Sequence, residues 1–325
     1  MDDNKKSHVN DDAVSSVTSV LEERFGKMTV TRGDKHDFLG THLRHHRDKK
    51  MVENDMSQHI KEAISDFGEP LKSVKTPARS DLLHVDPNAK QLPIKKKKLF
   101  HSIVMKLMFV AIRSRRDIHP TVGFLSSRVQ DSTVEDYGKL RRLMCYLHGT
   151  VNETSFIGAV NLHAMHTPID VSYASHDDCK SHTGGASSFG IGLISSKSSK
   201  QKLNTTSSTE AELVGMSDCL PKALSHKQFM EAQGCPLRHN MMLQDNKSTM
   251  IMANNGHKTC SKRSRHIRIR HFYITDLIEK GEVEVRYCPS EKLLADFFSK
   301  PLQGNLFQRF KDVILGKRPL TSLYP

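Results

Sequence analysis

Apolar residues recur at helical spacing along the first 150 positions. Val14, Val17, Val20, Leu21 and Phe25 fall on one stripe, with Asp11 or Asp12 available as N-cap and Gly26 as the stop. Met56, Ile60, Ala63, Ile64 and Phe67 form a second stripe, closed by Gly68. Phe100, Ile103, Val104, Leu107, Met108 and Ala111 make a broader face. Ser132-Thr133-Val134-Glu135 reads as a capping box ahead of Tyr137, Leu140, Met144 and Leu147, which end at Gly149. Between the first two helices, Phe38 to Leu43 reads as extended. Pro70, Pro77, Pro87 and Pro93 predict a surface loop over 69–93. The first half is therefore expected to be mainly helical.

Beyond Thr150 the texture shifts to short alternating stretches. Phe189, Ile191 and Leu193 face one way, and Val283, Val285 and Tyr287 alternate with Glu284 and Arg286, the period of strands. Helices are predicted between them, from about Ser208 to Gln233, Ser248 to Asn254 and Ile267 to Lys280, with Pro221 expected to split the long one. A domain boundary is expected near 150–160. That divides the chain into residues 1–150, a second unit at 155–316 and a tail at 317–325.

Composition narrows the class. The chain has 325 residues, 37% of them hydrophobic and 26% charged, which argues against collagen, low-complexity and fully disordered chains. Lys plus Arg less Asp plus Glu is 49 − 36 = +13, so polyanions are the favoured partners. No apolar run is long enough for a membrane helix and the start is charged, so the expectation is no membrane partner and an intracellular, cytoplasmic or nuclear protein. Six cysteines, scattered with no C-x-x-C pair, are read as reduced core thiols.

Among 36 acidic residues, most sit on solvated faces, so context selects the candidates. Asp170 follows Pro168-Ile169 in a predicted strand, Asp245 ends the apolar run Met241-Met242-Leu243, and Asp296 lies within Leu293 to Phe298. A carboxylate on an apolar element costs desolvation unless a cation, a donor or a proton compensates it. Glu210 has a second reading, because Ser207-Ser208-Thr209-Glu210 also fits a capping box. Taken singly, Asp170 also suits a turn, and Asp245 and Asp296 suit local ion pairs.

Five blocks then occur in order: Asp170-Val171-Ser172-Tyr173-Ala174; Lys180-Ser181-His182-Thr183-Gly184-Gly185; Ser199-Lys200-Gln201-Lys202 running on to Ser207-Ser208-Thr209-Glu210-Ala211-Glu212; Gln244-Asp245-Asn246; and Ser264-Arg265-His266-Ile267 followed by Leu294 to Leu302. Together they resemble the ribonuclease H domain of copia-type LTR retrotransposon Pol polyproteins. Upstream, Phe38-Leu39-Gly40, Thr76-Pro77, Arg116-Asp117-Ile118 and Leu143 to Thr150 resemble the closing part of the same family's reverse transcriptase. Asp2 and Asp3 look like the remnant of its polymerase motif, as though the reading frame starts there. The resemblance implies an α/β chain, α+β overall. In it, a ribonuclease H-like mixed five-stranded sheet with flanking helices follows a mainly helical thumb and connection region.

The function so implied is endonucleolytic hydrolysis of RNA in RNA–DNA hybrids by a truncated reverse transcriptase/ribonuclease H, without polymerase activity. The family mechanism uses two Mg²⁺, with Mn²⁺ as a substitute, held by carboxylates from separate elements. Asp170 is then expected from the first strand, Glu210 from the first helix, Asp245 from the end of the fourth strand and Asp296 from the last helix. Glu212 is the runner-up for the glutamate, since two residues on a helix point to different faces. His266 is a candidate proton carrier, against a phosphate contact or a packed imidazole. Lys262, Arg263, Arg265, Arg268 and Arg270 are the expected nucleic-acid contacts, with Lys95 to Lys98 and Arg113 to Arg116 as further basic clusters.

The chain departs from the family in having no Trp, with Tyr173 and Ser225-His226 standing where the family usually has one, and in reading His266-Ile267-Arg268-Ile269-Arg270 where an Asp is usual. The rival expectation is an inactive remnant that binds nucleic acid or pairs with other Pol fragments. A Walker loop and an Asp-Thr/Ser-Gly motif are both absent, which disfavours an NTP motor and an aspartic protease.

Overall fold

The computed structural model describes residues 4–8, 10–255 and 273–324. Its chain is mixed α/β, with two five-stranded sheets. Helix α1 (Asp11–Phe25) is capped by Asn10, whose side chain accepts from the Asp12 backbone, so neither Asp11 nor Asp12 is the cap. Three strands follow, β1 (Lys35–Phe38), β2 (Thr41–His46) and β3 (Met51–Asp55). The stretch Phe38 to Leu43 is therefore not one strand. Leu39 and Gly40 both take positive φ and turn the chain into a hairpin. Helices α2 (Ser57–Phe67), α3 (Ile94–Arg113), α4 (His119–Ser127) and α5 (Val134–Gly149) complete the first half, with 69–93 running as a largely irregular connection. The capping box of α5 sits one residue later than the sequence suggests, between Thr133 and Asp136.

Strand β4 (Ser155–Ala159) pairs with β3, in antiparallel register Met51 to Gly158 and Asn54 to Ser155. The first sheet therefore runs β1-β2-β3-β4-β7, where β7 is the short Gly190–Ile191. The alternation at Phe189, Ile191 and Leu193 yields only that short strand, because Gly190 and Gly192 turn the chain on either side.

The second sheet is built from β5 (Ala164–Ser172), β6 (His182–Ser187), β8 (Ser195–Lys200), β9 (His239–Gln244) and β10 (Glu284–Tyr287), in the order β8-β6-β5-β9-β10. The first three pair antiparallel, while β9 runs parallel to both β5 and β10. Helix α6 (Ser208–Ala232) crosses between β8 and β9, α7 (Lys247–Asn255) follows β9, a helix α8 includes 273–279, and α9 (Asp296–Ser299) and α10 (Gly304–Ile314) close the chain. Pro221 does not split α6. It forfeits one helical hydrogen bond, yet Leu213, Met216, Cys219, Leu220 and Ala223 on either side of it are buried, several of them in the core with Ile169 and Met242.

The largest core contains Phe100, Leu107, Leu140 and Tyr146 from the first half together with Leu294, Phe298, Phe310 and Val313 from the end of the chain. Arg115 is fully buried in it, its fork on both oxygens of Asp117 at 2.9 and 2.8 Å and a further N–H on the Thr150 carbonyl at 2.8 Å. Tyr146 donates to the same Asp117. Arg116 is buried as well, so the run Arg113 to Arg116 is not a basic surface. Of the cysteines described, Cys145, Cys219 and Cys288 are buried free thiols and Cys179 is exposed, outside the expected core. No helix among the described residues is long and apolar enough to cross a membrane.

Candidate metal centre

Asp170 lies in β5, the central strand of the second sheet, and is 3% exposed. Asp245 is the residue after β9, the parallel neighbour of β5, so the two acids meet at the same end of adjacent strands. Glu212 comes from the first turns of α6 and is 6% exposed. One carboxylate oxygen from each of Asp170, Glu212 and Asp245 lies within 4.8 Å of the others. Three anions this close repel one another and invite a divalent cation with oxygen preference. Burial, reinforced by the charges of Asp170 and Asp245, pushes the Glu212 carboxyl up to about 9.

Two glycines make this convergence possible. Gly184 stands opposite Asp170 in the β5–β6 register, and a Cβ there would lie 2.5 Å from the Ser299 backbone nitrogen and 2.6 Å from the Ala295 carbonyl. The missing side chain lets the backbone of α9 sit directly on the sheet, which brings Asp296 and Ser299 beside Asp170. Gly215 plays the same part for α6, where a Cβ would come within 2.5 Å of the Val171 side chain. The close approach of α6 lets Glu212 accept from the Val171 N–H at 3.2 Å.

Gln244, wholly buried at the end of β9, ties two of the acids together. Its amide nitrogen donates to Glu212 at 3.1 Å, while its oxygen accepts from the backbone N–H of Asp245 at 2.8 Å and of Asn246 at 3.1 Å. Ser290 donates to the Asp245 carboxylate at 2.6 Å. Ser299 donates to Asp170.

Asp296 heads α9 beside this triad. Burial and the neighbouring Asp170 raise its carboxyl to about 7. Lys300 bridges the two, with its ammonium 3.2 Å from Asp170 and 3.1 Å from Asp296. Burial works against the charge of Lys300, but the paired carboxylates outweigh it and raise its pKa.

Of the acids singled out in the sequence, Asp170 and Asp245 therefore meet, Asp296 stands next to Asp170, and Glu210 stays outside. The Glu210 carboxylate accepts from the backbone and hydroxyl of Thr206 at 2.8 and 2.7 Å, the helix-start role that its capping pattern announces. Glu212, two positions on, faces the sheet in its stead. Sequence reasoning misses Gln244, Ser299 and Lys300, although Gln244 directly precedes Asp245, and Ser299 and Lys300 follow Asp296 at one helical turn. Asp2, Asp3, Lys262, Arg263, Arg265, His266, Arg268 and Arg270 lie outside the described residues.

No protein-family model matches the chain. It is 25% identical over 216 residues, 66% of its length, to the retrovirus-related Pol polyprotein from transposon TNT 1-94 of Nicotiana tabacum. It is 30% identical over 223 residues, again 66% of its length, to that from transposon RE1 of Arabidopsis thaliana. Over 324 residues, 91% of its length, it is 24% identical to the transposon Ty1-ER2 Gag-Pol polyprotein of Saccharomyces cerevisiae. The matches span 16%, 15% and 18% of those proteins' own lengths. The chain is thus a distant homologue of the Pol polyproteins of copia/Ty1-type retrotransposons, and covers about a sixth of them.

Proposed function

We propose that residues 155–316 carry a ribonuclease H-type nuclease that cuts the RNA strand of an RNA–DNA hybrid with divalent cations, as one part of a retrotransposon Pol polyprotein. The observation that carries this reading is the buried triad Asp170, Glu212 and Asp245, drawn from a strand, a helix and the end of a parallel strand into 4.8 Å. The mixed five-stranded sheet and the homology to Pol polyproteins support it.

The residues present fit a hard divalent cation. All three donors are carboxylates, and burial together with the charges of Asp170 and Asp245 raises the Glu212 carboxyl, a cost that a bound cation would relieve. Asp170, Glu212 and Asp245 would hold Mg²⁺ or Mn²⁺, with Asp296 alongside. When bound, such a cation neutralises the cluster and supplies the Lewis acidity that phosphodiester hydrolysis needs. The chain's own part is positional. Gln244 fixes Glu212 relative to Asp245, Ser290 holds the Asp245 carboxylate, and Ser299 holds that of Asp170. The mostly buried triad excludes bulk water from its inner side, which strengthens its hold on a cation.

The test is cleavage of a labelled RNA–DNA hybrid by the purified chain in Mg²⁺ or Mn²⁺. Short RNA products are expected, and Asp170→Asn, Glu212→Gln and Asp245→Asn variants that keep their fold should release none. Tight hybrid binding without cleavage in either metal would overturn the nuclease in favour of a binding-only role.

A further inference from the structure

Three carboxylates, those of Glu212, Asp245 and Asp296, gather around that of Asp170, yet among the described residues only Lys300 is a cation in ion-pair contact with any of the four. Its ammonium lies almost midway between Asp170 and Asp296, at 3.2 and 3.1 Å. Those two side chains are 4% and 14% exposed, whereas Lys300 is 41% exposed and follows the last turn of α9 on extended backbone, φ −134° and ψ 141°. The anions are thus held in place while the cation between them has a route to solvent. A bridging divalent ion on Asp170 and Asp296 would need the space that the ammonium fills.

We propose that Lys300 is a built-in occupant of the second cation position. Resting on the metal reading above, the chain alone seats one divalent cation, on Asp170, Glu212 and Asp245, and admits another between Asp170 and Asp296 only when Lys300 swings out. The Ser299 hydroxyl donates to Asp170 independently of Lys300 and so also holds that carboxylate. Lys300 acts through the two carboxylates and is a positioning residue.

Counting bound Mn²⁺ by equilibrium dialysis, with electron paramagnetic resonance of the free ion, on the full chain without nucleic acid tests this. The wild type and Lys300→Arg, which keeps a cation of similar reach, are expected to bind one Mn²⁺, and Lys300→Met two. Two ions on the wild type, or one on Lys300→Met, overturns the role of Lys300 and leaves the nuclease reading standing. No ion on any variant removes both. Should Lys300→Met fail to fold, amine acetylation of the wild type followed by mass spectrometry gives an independent answer. Labelling of Lys300 at saturating Mn²⁺ is expected to match that in chelator, because the ammonium keeps its place between Asp170 and Asp296, and a several-fold rise overturns the proposal.

Discussion

The amide nitrogen of Gln244 donates to the Glu212 carboxylate at 3.1 Å, while the same side chain caps the backbone of Asp245. One buried residue thereby sets the spacing of two acids that come from different elements. Gln244→Leu fills the same space without either bond. The expected outcome is a 10–100-fold loss of Mn²⁺ affinity, roughly what loss of an outer-shell partner costs, with the far-ultraviolet dichroism unchanged. Calorimetric titration with Mn²⁺ checks it.

Glu210 and Glu212 should separate cleanly. Glu212→Gln is expected to abolish Mn²⁺ binding. Glu210→Ala is expected to leave binding intact and cost about 1 kcal/mol, the usual worth of a helix-start side chain, through loss of its contacts with Thr206. Urea unfolding and metal titration of both variants decide the matter, and a loss of metal binding in Glu210→Ala would reverse the assignment.

Gly184→Ala puts a methyl where the α9 backbone now lies, 2.5 Å from the Ser299 nitrogen. Neither β6 nor the helix backbone can yield by a rotamer change, so a loss of about 1–3 kcal/mol is expected, as for overpacked cores. The displaced α9 also carries Asp296 and Lys300 away from Asp170. The resulting variant should therefore lose hybrid cleavage even at temperatures where it remains folded, which single-turnover rates in excess enzyme will show.

His182 is buried between His176, at 3.0 Å, and the Ser198 hydroxyl, at 2.9 Å. Burial, with His176 and His119 nearby, drops its pKa to about 3, against roughly 6.5 in an unfolded chain. Between those values the unfolded chain takes up a proton that the folded one refuses. Stability is therefore full above about pH 6.5 and falls as pH drops toward 3, by up to ~1.4 kcal/mol per pH unit for this one group. His119, depressed to about 4 by burial and by Arg116, acts in the same direction. Thermal unfolding should show a lower midpoint at pH 5 than at pH 7, and His182→Gln should flatten that dependence.

The acids on apolar elements were legible in the sequence because burial of a charge leaves a visible mismatch with its neighbours. Asp170 and Asp245 carry that signature, and they meet. The choice between Glu210 and Glu212 was not legible locally, since both lie in the first turns of α6 and only the docking of that helix onto β5 through Gly215 selects one. Strand β8 leaves no mark in the sequence for a different reason. Ser195–Lys200 contains no apolar residue, and it becomes a strand through its backbone pairing with β6. The meander β1 to β3 is similarly muted, since His42, Arg44, His46 and Glu53 dilute the alternation, with Arg44 and His46 paired to Glu53 and His42 to Asp37 across the strands.

Strand β3 has β2 on one side, but its other side waits for β4, which is made roughly 100 residues later. At ordinary elongation speeds that interval lasts roughly 5–20 s. Throughout it a nascent chain offers a row of open backbone donors and acceptors to any neighbour on the same polysome. Closure by Ser155–Ala159 ends the exposure, so slowing translation between the two segments should favour tangling of neighbouring copies over correct maturation.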